Sequence, residues 1–167
     1  GSVHKLFYAV KANSNIAILN ILAQLGAGFD AVSGGEIERI IAAGGSPNKI
    51  VFSGVGKSTA EIDLAIDLGI YSINVESTEE LLRINAIAQQ KNKIVNIAIR
   101  VNPDVSANSH PYISTGSKQN KFGIAYTEAL AICQQAHDLK HICLKGLTCH
   151  IGSQITSMQP FLSAVDQ

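Results

Sequence analysis

Neither sign of charge prevails in this chain. Lysine plus arginine and aspartate plus glutamate each number 13, so no basic field draws in nucleic acid or an anionic membrane, and a small neutral or zwitterionic partner fits better. Cysteine is scarce: Cys133, Cys143 and Cys149 are odd in number and lack Cys-x-x-Cys spacing. That argues against a disulfide framework and for a reducing compartment, with the cytoplasm as the expectation. No apolar run is long enough to span a bilayer, and the N-terminus lacks the basic-then-apolar pattern of a signal peptide. A doubly wound dinucleotide fold would show Gly-x-Gly-x-x-Gly after its first strand, whereas Ala12-Asn13-Ser14-Asn15 stands there.

What is present is a repeated unit. The 167 residues, 46% of them hydrophobic, can build one sizeable core but are few for a large α/β architecture, so one domain or part of one is expected over 1–167. Lys5 to Val10 reads as a strand apolar on both faces, ending in Lys11. Ile16, Ile18, Leu19, Ile21, Leu22 and Leu25 then recur at helical spacing until Gly26 and Gly28, which can take a left-handed cap. Phe29 to Val32, Ile50 to Phe52 and Ile73 to Val75 read as short strands. Each precedes a Ser-x-x-Glu capping box, at Ser33/Glu36, Ser58/Glu61 and Ser77/Glu80, that opens a helix. Ile94 to Val101 is the longest strand signal. Thr127 to His137 reads as a further helix, Leu144 to Ile151 as a sixth strand, and Ser163 to Val165 as part of a sixth helix. Strands alternating with capped helices give a parallel sheet with right-handed crossovers, and the regularity favours a (β/α)8 TIM-type barrel of which about six of eight units are present.

In such a barrel the active site lies at the C-terminal ends of the strands. Those ends carry Lys11, Asp30, Arg100, His150 and Ser153. Each has a plain alternative: Lys11 as a strand-end lysine in water, Asp30 as a turn residue, Arg100 paired with a helix carboxylate, His150 as a satisfied core histidine. Their convergence on one rim is the stronger argument. A partly desolvated Lys11 would offer a neutral amine to a carbonyl. His137-x-x-x-His141 with Cys143 nearby falls on the opposite side and lacks a third ligand at zinc spacing, so no metal site is expected. Cys149 is expected to pack, on the face opposite His150. The rhythm breaks between Asn102 and Tyr126, where Pro103, Asp104, Asn108, His110, Pro111, Gly116, Asn120 and Gly123 mark a long binding loop or lid.

The segments Tyr8-Ala9-Val10-Lys11-Ala12-Asn13, Phe29 to Glu36, Val51 to Lys57, Asn74-Val75-Glu76-Ser77, Arg100 to Val105, His110 to Gly116, Asn120 to Ile124 and Cys149-His150-Ile151-Gly152-Ser153-Gln154 closely resemble the diaminopimelate decarboxylases nearly end to end. The resemblance implies an alanine-racemase-like barrel that binds pyridoxal 5′-phosphate. By resemblance Lys11 is the Schiff-base lysine, His150 stacks on the cofactor ring, Ser153 helps hold the phosphate, Asp30 sits near the lysine and cofactor, and Arg100 lies beneath the ring. The implied substrate is meso-2,6-diaminoheptanedioate and the product L-lysine, in a homodimer.

That family continues with two more strands, a Gly-rich phosphate loop, a glutamate facing the pyridine nitrogen and a C-terminal β-domain that this sequence lacks. The chain alone is therefore expected to be inactive, with open edges at the strands ending in Lys11 and His150. A non-catalytic pyridoxal phosphate carrier and an ornithine- or arginine-type decarboxylase are the alternatives.

Overall fold

A computed structural model describes residues 4–103, 122–153 and 155–166. It has strands β1 (Phe7–Ala9), β2 (Gly28–Ala31), β3 (Ile50–Phe52), β4 (Ser72–Val75), β5 (Val95–Asn102), β6 (Ile124–Ala125) and β7 (Ile142–Thr148). The helices are α1 (Ile16–Gln24), α2 (Gly34–Ala42), α3 (Thr59–Leu68), α4 (Thr78–Gln90), α5 (Tyr126–Asp138) and α6 (Gln159–Asp166). All strand pairings are parallel, and β1 to β5 lie side by side in chain order with β7 next to β5. Right-handed crossovers that always step the same way place their helices on one side of the sheet, the winding of a barrel and not of a doubly wound fold. Among the described residues no pairing joins β1 to β7, and no helix is long and apolar enough to cross a membrane.

Register divides the sheet into two faces. Phe29, Ile50 and Phe52 align with Ala31, Ile73, Ile97, Val75 and Ile99 on one face, all fully buried. They meet Ile37 and Ile40 of α2, Ile62 of α3 and Leu81 and Ile84 of α4, which form the same core. The other face carries Asp30, Val51, Ser72, Asn74, Ala98 and Arg100, a mixed lining that positions polar groups where a closed barrel has its interior.

The caps follow the serines, with one variation. Ser33, Ser58 and Ser77 each accept from the N–H of the glutamate three residues on. Only Glu61 closes the full box on its own N-cap. Glu36 and Glu80 instead reach one residue further back, to the N–H of Val32 at 2.7 Å and of Glu76 at 2.8 Å.

Several boundaries differ from the sequence reading. β1 stops at Ala9, because Val10–Ala12 tightens into a 3-10 turn that carries Lys11. Gly26 takes the left-handed conformation, but Gly28 is a β2 residue, pressed against the Phe7 ring where a side chain would not fit. β7 starts at Ile142 and ends at Thr148, so Cys149 and His150 lie beyond the strand. Cys149 is exposed and does not pack.

Candidate active site

The strand ends converge as the topology requires. A hydroxyl bridge runs across the tips of the second, third and fourth strands: Ser53 Oγ donates to Asp30 Oδ1 at 2.6 Å and accepts from Asn74 Nδ2 at 2.9 Å. Ser53 follows β3 directly, and parallel pairing carries its hydroxyl to the level of Asp30 on one side and Asn74 on the other. Asp30 is thereby fixed in place with one oxygen engaged.

Arg100, near the end of β5, points its guanidinium at Glu76, the first residue after β4, with Nη1 2.6 Å from Oε1. Both side chains are largely buried, at 15% and 4% exposure, so this is a charge-assisted bond in a poorly screened place. The Phe122 ring lies 5.8 Å from the guanidinium carbon. The sequence leaves a helix carboxylate open as the partner of Arg100; the partner is instead the strand-end Glu76.

Lys11 is exposed on its 3-10 turn, so the partial desolvation expected of it is not present in this chain. The turn is held by local polar bonds: Asn13 Oδ1 accepts from the Asn15 N–H at 3.0 Å, and Asn15 Oδ1 caps α1 through the Ala17 N–H at 2.9 Å. His150 and Ser153 follow β7 and are likewise exposed. His150 nonetheless senses the other groups. Desolvation pushes its imidazole below the ordinary histidine value, the Arg100 and Lys11 charges push the same way, and Asp30 and Glu76 oppose them. Four charges from four strand ends therefore bear on one imidazole. Ser153 makes no hydrogen bond to these residues among those described. The expected lid from His110 to Gly116, with Asp104, Asn108, Asn120 and Lys121, and also Gln154, falls outside the described residues.

Ser53, Asn74, Glu76 and Lys57 are not among the site residues expected from the sequence, and Glu80 is expected only as the glutamate of a capping box. Glu76 had a readable signal, a carboxylate directly after the short strand Ile73 to Val75. Lys57 had none, since nothing local marks a lysine for full burial. Among the described residues no cluster of histidine, cysteine, aspartate or glutamate could hold a metal. His141 Nδ1 lies 3.1 Å from the Lys93 carbonyl, away from the strand tips.

A parallel sheet wound in one direction, with an amine, an imidazole, a carboxylate and a guanidinium at its C-terminal strand ends, is the layout of a barrel enzyme of the α/β class. The chain belongs to the pyridoxal-dependent decarboxylases, whose pyridoxal-binding domain it matches over residues 2–167. It is 53% identical over 167 residues to the diaminopimelate decarboxylase of Pseudomonas aeruginosa, and 54% identical over 164 residues to that of Haemophilus influenzae. These alignments cover 100% and 98% of this chain but 40% of each relative. The crystal structure of diaminopimelate decarboxylase from Helicobacter pylori complexed with L-lysine superposes with a TM-score of 0.91 at 48% identity, covering 96% of this chain and 41% of that one. The chain thus spans about 40% of the length of the curated relatives it matches.

Proposed function

We propose that the whole protein corresponding to this chain decarboxylates meso-2,6-diaminoheptanedioate to L-lysine and CO2, with pyridoxal 5′-phosphate held on Lys11. The observation that carries this reading is the gathering of Asp30, Ser53, Asn74, Glu76 and Arg100 into hydrogen-bonded contact at the C-terminal strand ends, in a chain 53% identical to a diaminopimelate decarboxylase. The residues suit the cofactor chemically. Lys11 supplies a primary amine free of any salt bridge among the described residues. His150, with its affinity for protons lowered, presents a neutral ring that can lie flat on an aromatic one. The cofactor contributes the electron sink for the carbon–carbon bond that breaks.

The chain's own residues orient and balance charge. Asp30, held by the Ser53 hydroxyl, is assigned to Lys11, which follows the strand that pairs with its own. Arg100 has its charge balanced by Glu76, so it offers directed N–H donors without a net cation. Ser153 is assigned to the cofactor phosphate, and His150 to the ring face. The protein is taken to work in the cytoplasm, in keeping with cysteines that lack disulfide spacing, and as a homodimer, as the family resemblance implies.

Steady-state kinetics of the full-length protein test the reading. Its kcat/KM for meso-2,6-diaminoheptanedioate is expected to exceed that for ornithine, arginine or lysine by at least about a hundredfold, since a site built for a distal carboxylate and amine is left with unpaired polar groups by shorter substrates. Comparable values for ornithine would overturn it.

A further inference from the structure

The connection that follows β3 holds a buried charged group that the proposed chemistry does not use. Lys57 stands in the connection from β3 to α3, and its side chain has 0% exposure. The ammonium donates to the Gly54 carbonyl at 2.6 Å, the Asn74 carbonyl at 2.7 Å and Glu80 Oε1 at 3.1 Å. All three of its protons are thereby committed. The Phe52 ring lies 5.5 Å from the nitrogen. Burial pulls the ammonium below the usual lysine range, and the Glu80 carboxylate opposes that pull.

From Lys57 two routes lead to Glu76. Glu80, gripped through Oε1, turns Oε2 to the Glu76 N–H at 2.8 Å. Gly54, whose carbonyl Lys57 holds, donates its own N–H to Glu76 Oε1 at 3.3 Å. That same oxygen takes Arg100 Nη1. The second oxygen, Glu76 Oε2, is buried with no partner among the described residues, so the carboxylate is oriented only through Oε1 and through the backbone that Glu80 holds. Two lysine and arginine cations balance two carboxylates in this set, and buried ion sets of this kind add little net stability. Their effect is on geometry.

We propose that Glu76 is the positioning residue for Arg100, and that Lys57 and Glu80 hold Glu76 in place, so that the guanidinium is aimed through a chain of contacts anchored on a buried lysine. The proposal deepens the reading above, on which Arg100 faces the cofactor. Its own content is the mechanical link from a buried lysine to an arginine on another strand.

The test uses the full-length protein in two states. Without cofactor, the Arg100 Nη1–H resonance, assigned by its loss in Arg100→Met, reports how firmly the guanidinium is held by Glu76. Glu76→Gln keeps the shape and removes the charge; it is expected to speed exchange of that proton with water at least about tenfold, the effect of one lost charge-assisted bond. Glu80→Gln and Lys57→Met are expected to do so by a smaller factor. With pyridoxal 5′-phosphate titrated in by absorbance, the dissociation constant is expected to rise in the same order. An unchanged Arg100 resonance in Glu76→Gln overturns the proposal, and an unchanged one in both Glu80→Gln and Lys57→Met removes the part played by those residues. Should Glu76→Gln fail to fold, Glu76→Asp decides, because the shorter arm withdraws the oxygen: a loosened Arg100 supports the link and an unaltered one overturns it. If Arg100 loosens while cofactor affinity stays constant in every variant, Arg100→Met included, the link stands and the placement of Arg100 against the cofactor falls.

Discussion

The Glu61 carboxylate serves two helices at once. Its Oε2 closes the capping box of α3 through the Ser58 N–H at 2.9 Å, while Oε1 accepts the Gly34 N–H, in the first turn of α2, at 2.7 Å. An anion between two helix N-termini meets unsatisfied N–H groups and the positive ends of both dipoles.

A pH dependence follows from this contact. The backbone donors, Gly34 first and then Ser58, hold the Glu61 carboxyl below its usual value. A group with a depressed folded pKa contributes stability that is fully present above its unfolded pKa and is lost as pH falls through the folded one. Glu61→Gln is therefore expected to destabilise the protein at pH 7 by roughly 0.5–1 kcal/mol, the worth of hydrogen bonds to a charged group reduced by solvent screening at a partly exposed site. The difference should vanish as the pH drops below the folded pKa. Melting curves of both proteins across the acid range check this, and a difference that persists undiminished in acid would contradict it.

Gly123 offers a steric prediction. Its φ is +90°, and an added Cβ would stand 2.8 Å from the Arg100 carbonyl oxygen. Gly123→Ala is expected to cost roughly 1–3 kcal/mol, the range for backbone held in a region closed to other residues, and to weaken cofactor binding by displacing the Arg100 backbone. Gly69 is the control, with φ +63° and open space around it. Gly69→Ala should cost about 1 kcal/mol and leave cofactor affinity alone. Equal effects of the two on affinity would refute the distinction.

Histidine titration by NMR can test the convergence at the rim. In the cofactor-free protein, the His150 midpoint is expected below the ordinary histidine value, because desolvation and the Arg100 and Lys11 charges all disfavour the imidazolium. Lys11→Met should raise that midpoint and Asp30→Asn should lower it. A midpoint insensitive to both would show that these residues do not share a site.

Lys11 is open to direct chemical assignment. Reduction of the full-length holoprotein with borohydride, followed by peptide mapping, is expected to place the cofactor label on Lys11 and nowhere else. A label on Lys57 in its place would contradict both the assignment and the buried contacts drawn for that lysine.

Much of this protein was legible along the chain because its signals are local. The serines at 33, 58 and 77 cap helices through bonds to the residue three positions on, and Ile37, Ile40, Ile62 and Ile84 reach the core through spacing within a single helix. The strand tips were legible for the same reason, since a short apolar run ending at Asp30, or carrying Arg100 near its end, marks itself. The order of strands and helices, and the rim to which Lys11, Asp30, Arg100 and His150 belong, can thus be read along the chain. Which charges meet cannot. Lys57 finds Glu80 across 23 residues and Arg100 finds Glu76 across 24, pairings that exist only once parallel strands have set their register. Glu80 likewise passes over the N–H of its own cap for that of Glu76, a choice made with its other oxygen engaged by a buried lysine. The physical reason is range: propensity and capping act within a turn of helix, whereas the partner of a buried charge is settled by whichever group the fold brings within about 3 Å of it in a place that water cannot reach.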